Sequence, residues 1–271
     1  MPMAPATRLE YRNVTMRFDD AAGRILTAVA GVSLAVHDGE VVSLIGPSGC
    51  GKSTLLNIGA GLYTPSEGAA FVDGEQVEGP NAHVAFMLQK DLLLPWRTVA
   101  ENVMLGAEIQ GQARPERKRR AHELLQVFEL AEFAQRYPHE LSGGMRQRAA
   151  LARTLAVDPS VLLLDEPFSA LDAQTRMVLQ RDLARTLTQA RKTALLITHD
   201  LLEAVTLSDR VLVMSRRPGR IIDEMTIDLP RRDDPLARRR EPYVNDYIGR
   251  LMDRLHIGDG ALEAQTSGDE A

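Results

Sequence analysis

Three short, nearly unbroken apolar runs mark the chain: Val41-Val42-Ser43-Leu44-Ile45, Val161-Leu162-Leu163-Leu164 and Ala194-Leu195-Leu196-Ile197. They are too short for helices and rich in strand-forming residues, so each predicts a strand buried on both faces, as in a parallel sheet. Elsewhere the pattern changes. Val14, Met16 and Phe18 alternate with polar residues inside a β-rich stretch from Leu9 to Val36, and a second stretch follows from Ala69 to Val77, with Asp73-Gly74 as its hairpin turn. Thr54-Leu55-Leu56-Asn57-Ile58 opens a helix. Between Gln89 and Leu141 the pattern is mostly helical, including a helix from Arg119 to Leu130 preceded by a basic, solvated start at Arg114 to Arg120. Further on, Arg210-Val211-Leu212-Val213-Met214 and Ile221 to Ile227 pair across Arg217-Pro218-Gly219. Val244, Tyr247, Ile248, Leu251, Met252 and Leu255 fall on one helical face, expected to pack on the core or a partner.

Chemistry gathers where the buried strands end. After the first comes Gly46-Pro47-Ser48-Gly49-Cys50-Gly51-Lys52-Ser53-Thr54, which fits the phosphate-loop pattern G-x-x-x-x-G-K-[ST] between a strand and a helix. Its glycines let successive N–H groups face phosphate oxygens, and the helix N-terminus adds partial positive charge. Lys52 is placed to reach the β- and γ-phosphates and the Ser53 hydroxyl to ligate Mg²⁺. The second strand ends in Asp165-Glu166-Pro167, the third in Thr198-His199-Asp200. Asp165 faces the crevice where parallel sheets bind ligands and can hold Mg²⁺. Glu166, one residue on, points elsewhere and is free to act on the attacking water. His199 can meet the γ-phosphate.

With Leu141-Ser142-Gly143-Gly144-Met145-Arg146-Gln147-Arg148 and Ser169-Ala170-Leu171-Asp172 in the same order, the chain resembles the ATP-binding cassette family of transporter ATPases, from about Leu9 to Thr226. The resemblance implies an α/β fold: a P-loop NTPase core with an N-terminal antiparallel β subdomain and a helical signature subdomain. It implies ATP and Mg²⁺ as ligands. Gly46 to Thr54 is then the Walker A loop, Gln89 the Q-loop glutamine and a metal contact, and Leu141 to Met145 the signature. Val161 to Asp165 is Walker B, Glu166 the catalytic carboxylate, Asp172 part of the D-loop, and His199 the switch histidine. Phe18 matches the aromatic that stacks on adenine, where tyrosine is commoner, and stacking is the expected role; its alternation with Val14 and Met16 offers strand core as the alternative. The expected organisation is a nucleotide-binding domain over 1–235 with a helical insertion at about 90–160, an amphipathic helix over 236–257, and a disordered tail over 258–271.

Ser142, Gly143 and Gly144 open a helix and so offer a second set of N–H donors, which in the family serves the nucleotide of another subunit. A second copy of the cassette is therefore the expected partner, two chains enclosing two ATP molecules head to tail. A net charge of −5 argues against a nucleic-acid partner. No apolar stretch approaches the ~20 residues that span a bilayer. A cassette of this kind is expected to work at the cytoplasmic face of the membrane through two transmembrane permease subunits, and indirectly with a solute-binding protein. The segment after Gln89, with Leu92, Leu93, Leu94, Pro95 and the single tryptophan, Trp96, is the expected docking surface; its leucines read alternatively as the insertion's own core. Cys50, the single cysteine, suits a reducing compartment and is expected either to react with thiol reagents unless nucleotide shields it or to be simply a small residue that fits the loop.

Leu94-Pro95-Trp96-Arg97-Thr98-Val99, Arg216-Arg217-Pro218-Gly219-Arg220-Ile221 and Asp228-Leu229-Pro230 resemble the importer branch for nitrate, sulfonates, taurine and related solutes, which includes carriers of pyrimidine vitamin precursors. The solute stays open, as does export instead of import. A small-molecule kinase would have no use for Leu141 to Arg148. A chromosome or repair ATPase would need long coiled-coil arms between Lys52 and Leu141, and a tandem translation factor a second phosphate loop.

Overall fold

The computed structural model describes residues 6–19, 23–169 and 171–255. The expected disordered tail at 258–271 lies outside them.

Two sheets form among the described residues. Four antiparallel strands, β1 (Thr7–Asp19), β2 (Ile25–His37), β4 (Glu67–Val72) and β5 (Glu75–Gln76), stand in the order β2-β1-β4-β5. The turn joining β4 to β5 is Asp73-Gly74, both residues at positive φ, as a tight hairpin requires. The larger sheet has β3 (Val41–Ile45), β6 (Val84–Met87), β7 (Val161–Asp165), β8 (Thr193–Ile197), β9 (Arg210–Met214) and β10 (Ile221–Thr226) in the order β10-β9-β3-β8-β7-β6. All neighbours are parallel except β10 on β9.

The continuous apolar runs follow from a sheet covered on both faces. On β7, Leu162 and Leu164 join one buried cluster with the helical insertion, while Val161 and Leu163 join another beneath the antiparallel sheet. On β8, Ala194 and Leu196 divide from Leu195 and Ile197 in the same way. The second cluster also holds α1 (Lys52–Gly59) through Leu55, Leu56 and Ile58. The insertion consists of α2 (Val99–Ile109), α3 (Arg114–Val127) and α4 (Gly143–Ala156), with Phe128 and Leu130 fully buried among them. Beyond the insertion come α5 (Ala173–Gln189), α6 (Leu201–Leu207), α7 (Pro235–Arg238) and α8 (Val244–Arg254).

Four expectations shift. α1 starts at Lys52, two residues before the expected start at Thr54, because the phosphate loop itself supplies the opening turn. The basic run Arg114 to Arg120 is not a lead-in but the first half of α3, since Pro115 sits in the first turn, where a missing N–H costs nothing. That helix stops at Val127 and Glu129 takes a left-handed φ of 54°. On α8, Val244 and Leu251 are buried and Tyr247, Ile248 and Leu255 pack on the same core, but Met252 turns outward.

Candidate functional site

The register of the parallel sheet brings three chain segments to one edge. Val41 pairs with Ala194 and Leu44 with Ile197, while Asp165 pairs with Ile197 from the other side. The residues that follow β3, β7 and β8 therefore emerge side by side at the strands' C-terminal ends, where open α/β sheets bind ligands.

From β3 the chain wraps through Gly46 to Gly51 and enters α1 with no side-chain cap. The first N–H groups of that helix are thus free to meet an anion. Lys52 is largely buried; its Nζ donates to the carbonyls of Gly46 at 2.8 Å and Pro47 at 3.0 Å. Asp165, at the end of β7, is buried beside the Ser53 hydroxyl, which favours its charged form. Burial pushes its carboxyl above the ordinary range, with Glu166 adding to the rise, against the pull of Ser53 and Lys52. A hydroxyl beside a carboxylate is a pair of hard oxygen donors, which fits Mg²⁺ completed by phosphate oxygens and water.

Glu166 leaves the strand direction with φ 47°, its N–H held by the Ile197 carbonyl at 3.0 Å. The turn carries its carboxylate to Gln89 Nε2 at 3.2 Å and His199 Nδ1 at 3.4 Å. A cleft of about 450 Å³ lies between these groups and the loop. Phe18, Leu26 and Ala28 form one wall; Gly46, Ser48, Gly49, and Gly51 to Thr54 form the floor; Gln89, Glu166 and His199 stand opposite, and Arg217 is on the rim. Phe18 meets Tyr63 edge-on at 5.7 Å, which steadies a ring that faces the cleft instead of the core.

Other expected site residues lie elsewhere. Pro47 and Cys50 belong to the loop without lining the cleft, and Asp165 sits behind Ser53. Cys50 is 1% exposed, covered by the loop itself, so the expectation of a reactive thiol is corrected: the sulfur is turned inward, 3.8 Å from Lys52 Nζ. Ser142, Gly143, Gly144 and Asp172 do not line the cleft of their own chain. Ser142 caps α4, accepting from the Met145 N–H at 3.3 Å, and Asp172 caps α5, accepting from the N–H groups of Gln174 and Thr175.

The segment after Gln89 divides by side chain. Leu93 is buried in the insertion's core, whereas Leu92 is 53% and Trp96 71% exposed. Its backbone is fixed: buried Asn102 bonds to the N–H and C=O of Leu94, and Arg153 donates to the carbonyls of Asp91 and Leu92. Two further residues escaped the sequence reading. Arg217 lies in a stretch legible as a hairpin turn and a branch marker but not as part of the cleft, and Glu203 is a glutamate on α6 buried near His199 with nothing in its neighbours to signal burial.

Comparison with known proteins agrees with this geometry. The profile of the family described as ABC transporter matches residues 29–169. An uncharacterized ABC transporter ATP-binding protein of Methanocaldococcus jannaschii is 46% identical, over 92% of each chain. A taurine import ATP-binding protein of Jannaschia sp. is 45% identical, again over 92% of each. A nitrate import ATP-binding protein of Synechococcus elongatus is 44% identical over 91% of this chain and 38% of its own length. Among solved structures, a dimeric post-hydrolysis ATP-binding cassette bound to ADP and Pi superposes with a TM-score of 0.73 at 33% identity, covering 81% of this chain and 98% of that one.

Proposed function

Because the chain belongs to the ABC transporter family of ATP-binding proteins, we propose that it energises uptake of a small anionic or zwitterionic solute of the taurine, sulfonate or nitrate kind through separate membrane subunits. The family's activity is ATP hydrolysis. The observation that carries the reading is the meeting of the Lys52 loop, the Ser53–Asp165 pair and the Gln89–Glu166–His199 group around one cleft.

The residues divide the work by chemistry. Lys52, held by two loop carbonyls, exchanges them for β- and γ-phosphate oxygens when nucleotide enters. Phe18 offers its ring to the adenine. Ser53 and Asp165, with Gln89 across the cleft, are the oxygen donors for Mg²⁺. Mg²⁺, when bound, neutralises charge on the phosphate oxygens. Glu166 accepts the proton of the attacking water, and His199, 3.4 Å from the same carboxylate, is set to stabilise the γ-phosphate as it departs.

Ser142 and the helix it caps lie away from their own cleft, and the phosphate loop leaves its outward side open. A second copy placed head to tail brings that helix end onto the first copy's γ-phosphate, so ATP favours the closed pair and hydrolysis releases it. Closure is passed to two permease subunits through Leu92 and Trp96, on the cytoplasmic face of the membrane, with a solute-binding protein delivering cargo on the other side. No helix among the described residues is long and apolar enough to cross a membrane. The test is purification of the chain with its membrane subunits, followed by ATP-driven accumulation of taurine, an alkanesulfonate or nitrate in proteoliposomes. ATP-driven movement in the opposite direction, or a chain that never associates with membrane subunits, would overturn the proposal.

A further inference from the structure

The turn between β9 and β10, Arg216-Arg217-Pro218-Gly219, is built against the phosphate loop. Gly219 donates its N–H to the Ala28 carbonyl at 2.9 Å and accepts from the Ala30 N–H at 3.0 Å, so the turn is stitched to β2. A Cβ at Gly219 would collide with the Cys50 carbonyl oxygen and Met214 Cε. Glycine is what lets the turn lie flat on the loop.

From this anchorage Arg217 donates through Nε at 3.1 Å and Nη2 at 2.8 Å to one acceptor, the carbonyl oxygen of Gly49. The N–H of the same peptide group, on Cys50, is bonded to the Pro47 carbonyl at 3.3 Å. That peptide is therefore held at both ends, by the loop on one side and by a guanidinium on the other. The outside hold matters because Gly49 has φ +73° and no side chain to resist a peptide flip. A flipped carbonyl would face the Pro47 carbonyl, which Lys52 also holds, and would undo the loop's inner hydrogen bond. Arg217 also lines the cleft, so its charge is felt there.

We propose that Arg217 is a positioning residue of the phosphate loop: its fork fixes the Gly49–Cys50 peptide in the anion-binding form, and the Gly219 contact sets the fork in place. The proposal rests on the nucleotide reading above and assigns a task to a turn outside the motifs that carry it.

The full chain is assayed for MgATP hydrolysis as wild type and as Arg217→Ala, Arg217→Lys and Gly219→Ala. Loss of one charged hydrogen-bonding grip predicts a KM for ATP raised at least ~5-fold in Arg217→Ala. The kcat stays within about twofold, since the chemistry of Glu166 is untouched. Arg217→Lys keeps the charge without the fork, and its KM stays raised. Gly219→Ala keeps Arg217 but displaces the turn, and it raises KM as well. Wild-type KM in Arg217→Ala, full recovery by lysine, or a fall in kcat with unchanged KM would each overturn the positioning role. A wild-type chain without ATPase activity, alone or with its membrane subunits, would instead count against the nucleotide reading itself.

Discussion

One oxygen of Glu166 is shared by Gln89, 3.2 Å away, and His199, 3.4 Å away, so three distant chain segments meet on a single carboxylate. The left-handed backbone at Glu166 makes this possible: it swings the side chain out of line with Asp165, its neighbour on β7. Two adjacent carboxylates thereby face different surroundings, Asp165 toward Ser53 and Glu166 toward Gln89 and His199.

Glu166→Gln keeps size and can still accept from Gln89 while removing the proton acceptor. ATP hydrolysis is expected to fall at least ~10²-fold, with nucleotide binding retained. Because ATP is no longer consumed, size-exclusion chromatography in MgATP should show a dimer, and adding Ser142→Arg should return it to monomer. A monomeric single variant at saturating ATP would remove the main support for a site completed by the second copy.

Lys52→Ala removes the cation while sparing the loop's backbone. Of the two carbonyls it satisfies, that of Gly46 belongs to a residue lining the cleft, where water can replace the ammonium, so the fold should persist by circular dichroism. Binding and hydrolysis of MgATP should be lost. Undiminished turnover would sink the phosphate-loop assignment.

Trp96 is 71% exposed on a segment whose backbone is pinned by Asn102 and Arg153. Trp96→Ala should therefore change the stability of the isolated chain by no more than ~0.5 kcal/mol, as at other surface sites. Its expected effect is on co-purification with the membrane subunits or on the coupling of ATP use to transport. A large drop in melting temperature with normal assembly would favour a core role instead.

The three buried strands and the chemistry at their ends were legible because a strand covered on both faces must be apolar throughout, and Asp165 and His199 stand out against such runs. Burial of Leu93 beside exposure of Leu92 was not legible, since neighbouring leucines look alike until the loop's path is known. The inward turn of Cys50 was hidden for the same reason. Thr98 and Glu101, which form a capping box at the start of α2, carry a readable signal that fixes that helix boundary. The Arg217 turn was legible as the hairpin between β9 and β10, but its contact with the phosphate loop was not. Its meaning depends on β9 lying beside β3, a long-range pairing that places residue 217 over residue 49.

Glu203 supplies a prediction about pH. It is 3% exposed on α6, beside Thr198, one residue before His199, and accepts a hydrogen bond from Gln180 of α5 at 3.1 Å. Burial pushes its carboxyl up to about 7, Asp200 adds to the rise, and Thr198, Gln180 and Arg176 oppose it. In the unfolded chain the group titrates near 4.5. Between these values the folded protein holds a proton that the unfolded chain has released, so folding takes up a proton and stability declines as pH rises across that window. The stability linked to this group is complete below pH 4.5 and gone above about 7, a difference on the order of 3 kcal/mol. Glu203→Gln mimics the protonated form at every pH and can still bond with Gln180. Urea unfolding should find the variant close to wild type at pH 5 and more stable than wild type at pH 8. If the variant instead loses stability at pH 8, the buried carboxylate is favoured as a charge by Arg176 and its hydrogen bonds, and the sign drawn from burial is wrong.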